Sequence, residues 1–159
     1  MKVIKAKTAG FCFGVKRAVD TVYKQVDTKC GQIYTYGPII HNEEVIKDMR
    51  DKGVIVLRSE EDLDMISQGT VIIRSHGVEK RIYEKIEQKG LRIVDATCPF
   101  VKKIHNIVSE KSGEGFHIII IGNPEHPEVV GIKGWAKDNV TVIQSAEDAE
   151  CFTADRKEK

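Results

Sequence analysis

The sequence predicts an α/β fold made of repeated parallel-sheet modules, and three observations predict it. Short β-branched runs alternate with longer amphipathic stretches along the whole chain. The connections between them are a few residues long, which suits parallel strands covered by helices. A set of motifs also recurs in order at a nearly constant offset, as a duplicated module would leave it.

In order, strands are expected at 2–5, 33–36, 54–57, 71–74, 91–94, 117–121 and 140–143, where Val, Ile and Thr concentrate. Helical periodicity fills the gaps at 15–26, 43–52, 60–66, 79–88, 99–111, 128–136 and from about 146 onward. In the fifth helix Phe100, Val101, Ile104, Ile107 and Val108 read as one apolar stripe. Ser59 with Asp62, and Ser145 with Asp148, have the spacing of helix N-terminal capping boxes. Gly53, Gly90 and Gly115 stand just before strands, where a helix C-terminus favours glycine.

The repeat aligns Cys12-Phe-Gly-Val-Lys-Arg-Ala with Cys98-Pro-Phe-Val-Lys-Lys-Ile. It also aligns Gly37-Pro-Ile-Ile-His41-Asn-Glu43 with Gly122-Asn-Pro-Glu-His126-Pro-Glu128. Cys98 lies 86 residues after Cys12, and Gly122 lies 85 after Gly37. The reading is a first module over 1–97, with an N-terminal strand and the Cys12 loop, and a second over 98–159. At this period the second copy is expected to be truncated, and a third module to be missing.

Composition excludes some functions. With a formal charge of +1 there is no broad basic field for nucleic acid or an anionic membrane, so any anion must be held locally. The apolar run at 118–121 is far too short to span a bilayer, and the first residues lack a signal-peptide pattern. A cytoplasmic location is expected. Cys12, Cys30, Cys98 and Cys151 form no CxxC pair; in a reducing compartment each is a core residue, a nucleophile or a metal ligand.

The chemistry-bearing residues gather after strands. Gly37 to His41, Arg74-Ser75-His76-Gly77, Asp95-Ala-Thr-Cys98-Pro99 and Gly122 to Glu128 each follow one. Ligands of open α/β sheets bind at that edge, where loops and helix N-termini converge. Pro99 suits a first helical position, which puts Cys98 at a helix N-terminus, where the dipole favours a thiolate; the repeat puts Cys12 in the same place. Thiolates select zinc, copper(I) or iron–sulfur clusters, and the 86-residue separation does not choose among them. Cys30 and Cys151 read as structural, as do His105 and His117. His41, His76 and His126 sit in strand-end loops and suit an anion, while Glu128 opens a helix and suits a proton donor. A hydrolytic zinc site from Cys98, His126 and Glu128, with His41 as a further ligand, remains the alternative metal reading.

At these residues the chain resembles the 4-hydroxy-3-methylbut-2-enyl diphosphate reductases, the iron–sulfur enzymes that end the non-mevalonate isoprenoid pathway. The resemblance rests on Ala9-Gly-Phe-Cys12-Phe-Gly-Val, Gly37-Pro-Ile-Ile-His41-Asn, Arg74-Ser-His76-Gly77-Val, Asp95-Ala-Thr-Cys98-Pro and Gly122-Asn-Pro-Glu-His126-Pro-Glu128. It implies a trefoil of three α/β modules, of which this chain holds about one and two-thirds, around a [4Fe–4S] cluster held by three cysteines. Cys12 and Cys98 would be two of these; the third lies beyond Lys159. His41, His76 and His126 would line the diphosphate pocket, His126 also nearing the substrate hydroxyl, and Glu128 would deliver a proton. The resemblance further implies ferredoxin or flavodoxin as electron donor. With one cysteine ligand missing, the chain alone is expected to hold no stable catalytic cluster. A non-catalytic diphosphate-binding module is the alternative outside the enzymes.

Overall fold

A computed structural model describes residues 2–28 and 31–152. The element order is α1 (Phe13–Thr28), β1 (Ile33–Tyr36), α2 (Glu43–Asp51), β2 (Val54–Leu57), α3 (Glu60–Asp64), β3 (Thr70–Ile73) and α4 (Lys80–Gln88). It continues with β4 (Arg92–Asp95), α5 (Pro99–Gly113), β5 (Ile118–Ile121), α6 (Pro127–Lys133), β6 (Val140–Ile143) and α7 (Ala146–Cys151). The first four strands form one parallel sheet in the order β2-β1-β3-β4, and β5 and β6 form a second parallel pair.

Side-chain alternation on β3 explains how the first sheet is covered. Ile72 joins a core with Ala18 and Val22 of α1, Met49 of α2 and Val54 of β2. Its neighbours Val71 and Ile73 enter the opposite core with Leu63 of α3 and Ile82 and Ile86 of α4. A central parallel strand is buried on both faces, so all four residues of β3 are buried and apolar or Thr.

The duplication is visible as architecture. The series α1-β1-α2-β2-α3 recurs as α5-β5-α6-β6-α7, and both strand pairs are parallel. Ser59 accepts from the Asp62 N–H and Ser145 from the Asp148 N–H, while those aspartates reach back to the Arg58 and Gln144 N–H groups. The two capping boxes therefore occupy equivalent places.

Three expectations need correction. Residues 2–5 are not a strand: no described strand pairs with them, and Val3 and Ile4 are exposed. A β-branched run without a ladder partner gains no strand hydrogen bonds. The apolar stripe of α5 divides in two. Val101, His105, Val108 and Ser112 are its buried face, whereas Phe100, Ile104 and Ile107 are exposed. Cys151 ends α7 exposed rather than within a core, and Cys30 lies outside the described residues.

Candidate functional site

In the order β2-β1-β3-β4 the chain leaves β1 toward one side and β3 toward the other. Loops after β1 and β3 therefore part at a switch point and leave a crevice at the strand ends. His41 and His76 occupy it, with ring centroids 4.7 Å apart. His126, from the loop after β5, brings its ring within 6.4 Å of His76. The three histidines expected to bind substrate thus converge, although 85 residues separate the first from the last.

Their roles differ. His126 is the N-cap of α6, and its Nδ1 accepts a hydrogen bond from the Glu128 N–H at 3.2 Å. That bond leaves the neutral ring's proton on Nε2, available to an anion. His126 takes the N-cap place that Asn42 holds on α2, where Asn42 Oδ1 accepts from the Val45 N–H. His76 is half-buried; desolvation first, then His41, Arg74 and His126 nearby, push its pKa down to about 4. It is neutral at pH 7 and donates one N–H without adding charge. Glu128 is half-buried in the first turn of α6.

Cys98 is the N-cap of α5, with Pro99 following it, and no side-chain capping bond engages its sulfur. Cys12 holds the matching position on α1, where the Lys16 N–H donates to its carbonyl at 2.9 Å. The two helix starts touch: a Cβ added to Gly14 would lie 2.6 Å from Cys98 Sγ. Gly14 therefore keeps the space beside the Cys98 sulfur open, two residues from Cys12. Two thiols on adjacent helix N-termini fit as two ligands of an iron–sulfur cluster. Among the described residues no three His, Cys, Asp or Glu side chains converge to hold a metal ion. The zinc set of Cys98, His126 and Glu128, with or without His41, is therefore not assembled here: Cys98 caps α5, whereas His126 and Glu128 lie at the start of α6 and His41 in the loop before α2.

Two positioning residues escaped the sequence reading. Ser75 is buried, and both its N–H and Oγ donate to the Ile39 carbonyl, at 3.2 and 3.0 Å. Its carbonyl accepts from the Cys98 N–H at 2.9 Å. One residue thereby ties the His41 loop, the His76 loop and the Cys98 helix together. Arg17 reaches from α1 to the carbonyls of Thr97 and Asp95 at 3.0 and 3.3 Å, fixing the Cys12 helix against the Cys98 loop. Asp95 shapes that loop by accepting from the Thr97 N–H and Lys102 Nζ. Burial opposes its ionisation, but the bonds from Lys102 and Thr97 outweigh this and hold its carboxyl below the ordinary range. A weak signal for Arg17 was present in the matched Lys16-Arg17 and Lys102-Lys103 pairs; Ser75 stood inside the Arg74-Ser75-His76-Gly77 motif, but nothing in the sequence marked its bonds to the other two loops.

Behind the histidines, His105 is enclosed and stacks on Trp135, with centroids 5.1 Å apart and planes 17° apart. Its Nε2 has no hydrogen-bond partner, and burial depresses its pKa to about 4. It reads as a packing residue, as expected. Trp135 Nε1 donates to the Val78 carbonyl at 2.9 Å, directly after the His76 loop. His117 Nε2 lies 2.8 Å from Thr141 Oγ1, between β5 and β6.

The pattern of the LytB protein family matches residues 3–158. The chain belongs to the LytB family. It is 48% identical over 151 residues to the 4-hydroxy-3-methylbut-2-enyl diphosphate reductase of Caldanaerobacter subterraneus subsp. tengcongensis, covering 94% of this chain and 52% of that protein. The reductase of the same name from Clostridioides difficile is 43% identical over 160 residues, covering 100% and 56%. Among solved structures, the E-1-hydroxy-2-methyl-but-2-enyl-4-diphosphate reductase from Plasmodium falciparum superposes with a TM-score of 0.89 at 31% identity, over 96% of this chain and 48% of that one. A second reductase structure, described as the terminal enzyme of the non-mevalonate pathway, gives 0.77 at 39% identity over 92% and 52%. This LytB chain spans about half the length of the relatives it matches. The parallel-sheet α/β class read from the sequence is the one found.

Proposed function

We propose that this chain forms part of a reductase that converts 4-hydroxy-3-methylbut-2-enyl diphosphate into isopentenyl and dimethylallyl diphosphates. The carrying observation is the convergence of His41, His76 and His126 at the strand ends, joined through Ser75 to Cys98. The overall reaction replaces the allylic hydroxyl by hydrogen, consuming two electrons and two protons and releasing water.

Cys12 and Cys98 would hold two corners of a [4Fe–4S] cluster, which supplies electrons and Lewis acidity when bound. The third thiolate would come from outside these residues. The histidine trio presents N–H donors to the diphosphate oxygens. His76, held neutral by burial, gains basicity once an anion faces it. Glu128 is the proton donor to the departing hydroxyl, and His126, whose Nδ1 engages the Glu128 N–H, orients that hydroxyl through Nε2. A ferredoxin or flavodoxin supplies the electrons, in the cytoplasm. No helix among the described residues is long and apolar enough to cross a membrane.

A second reading is a diphosphate-binding module without turnover, and the histidine trio assembled within this chain supports it. Anaerobic reconstitution with iron and sulfide separates the readings, run on this chain and on a version extended to its relatives' length. Four irons per chain and substrate consumption by the extended version alone support the reductase reading with this chain as a part. Substrate binding by both, with iron in neither, supports the binding module. If the extended version carries zinc instead, the cysteine assignment fails.

A further inference from the structure

We propose that the chain carries a second anion site, outside the histidine cluster, that takes a small phosphate ester. A cavity of about 560 Å³ lies between α2, the end of β2 and the Gly37–Pro38 turn. Lys47 and Arg50 enter it from α2, Arg58 from the end of β2 and Arg74 from the end of β3. Glu43, Ile46, Lys47 and Arg50 follow the 3–4 spacing of one helical face, so α2 turns a mixed basic face to this space.

The four cations outnumber the two carboxylates of the lining, Glu43 and Glu44. Ion pairs among the described residues engage Arg81 and Lys16, Lys52, Lys80, Lys85, Lys102 and Lys111, but none of these four. Arg74 is the telling case. Its guanidinium is half-buried and packs so closely on the turn that a Cβ at Gly37 would meet Nη1 at 2.6 Å. Its side chain donates from Nε to the Gly77 carbonyl at 3.3 Å, and it forms no ion pair among the described residues. A partly desolvated guanidinium without an anion is unfavourable, and a bound phosphate would offset that cost with charge-assisted bonds.

The lining specifies more than an anion. Pro38, Ile46 and Val56 give an apolar wall for a carbon skeleton. Glu43 and Glu44, also at the cavity, accept hydrogen bonds from hydroxyls, so the ester would carry a hydroxyl-bearing organic part. The volume falls in the range of small-molecule sites and the site is concave, which favours a metabolite over an acidic protein surface. Because Arg74 precedes His76 by two residues and holds the Gly77 carbonyl, occupancy would stiffen the His76 loop. The proposal does not depend on the reductase reading.

The test is calorimetric titration of the 159-residue chain with ADP and with inorganic pyrophosphate. Two variants accompany it: Arg50→Gln with Arg58→Gln, both exposed, and His41→Ala with His126→Asn, where asparagine retains the α6 cap. Circular dichroism confirms that each is folded. The histidine variant removes any ADP held by the trio and is expected to keep a separate ADP site; adding the arginine changes to it is expected to weaken that site at least about tenfold. In the histidine variant pyrophosphate is expected to bind more weakly than ADP. The proposal fails if ADP does not bind the histidine variant at millimolar concentration, or if the combined variant keeps that binding. Equal affinity of the histidine variant for pyrophosphate and ADP would overturn the assignment of an ester.

Discussion

Replacing Gly77 with alanine tests whether the His76 loop is held from behind. Gly77 has φ of +72°, a left-handed conformation that costs a non-glycine residue about 1–2 kcal/mol. A Cβ there would also fall on Cε1 of His105, with Thr97 Cγ2 a further 3.1 Å neighbour. The His105 ring has no room to retreat, being enclosed and stacked on Trp135. Overpacking of such a site typically costs about 1–3 kcal/mol. The sum is roughly 2–5 kcal/mol, and at its middle a chain of this size loses roughly 7–14 °C of melting temperature. Gly90→Ala is the control: φ is +68° but nothing lies within 4 Å of the added Cβ, so only the same backbone cost of about 1–2 kcal/mol remains. Thermal and urea unfolding followed by circular dichroism measure both variants. Emission from Trp135, the only tryptophan, reports the displaced ring. If Gly77→Ala and Gly90→Ala match within about half a kcal/mol with unchanged emission, the contact argument is refuted.

Other perturbations follow from the same geometry. His105 and His76 are held near pKa 4 against an ordinary 6.5, so the folded chain binds fewer protons than the unfolded chain between those values. Stability is therefore full above about pH 6.5 and falls as pH drops toward 4, with enclosed His105 contributing up to about 3 kcal/mol and half-exposed His76 less. Urea midpoints that stay level from pH 7 to 4.5 would contradict this. Ser75→Ala removes one buried donor, but the residue's own N–H still satisfies the Ile39 carbonyl. A loss of about 1 kcal/mol is expected, together with weaker diphosphate binding by titration; unchanged binding would show that Ser75 positions nothing. Gly14→Ala places a methyl 2.6 Å from Cys98 Sγ and should lower iron retained after reconstitution of an extended chain by about tenfold while leaving ADP affinity intact. Full iron content in that variant would separate Cys98 from the cluster.

Much of this was legible in the sequence because the signals were local. Pro99 marks the start of α5 and thereby the position of Cys98, and the Ser59–Asp62 and Ser145–Asp148 pairs mark two more helix starts. What stayed hidden depended on partners distant in sequence. Val3 and Ile4 look like Val71 and Ile72, yet only the latter have strands on either side. Along α5, spacing defines an apolar stripe but not which adjacent face packs inward, and polar His105 takes the inside because Trp135 offers it a stacking surface. The repeat linked Cys12 to Cys98 and His41 to His126, but not the Ser75 bonds that bring those loops into register. Arg74 was read only as part of the His76 motif, because the lack of an ion pair cannot be seen in a linear pattern.

The second sheet has a practical consequence for anyone handling the protein. Among the described strands β5 pairs only with β6, and Ile119 and Ile121 are exposed, the latter at 84%. An open parallel edge with bare isoleucine is adhesive toward its own kind. Solutions of the chain should therefore thicken into assemblies as they are concentrated. Ammonium sulfate should drive this sooner than chloride at equal ionic strength, while chilling slows it, because burial of apolar surface weakens in the cold. Dilute, cold, sulfate-free storage is what this edge dictates.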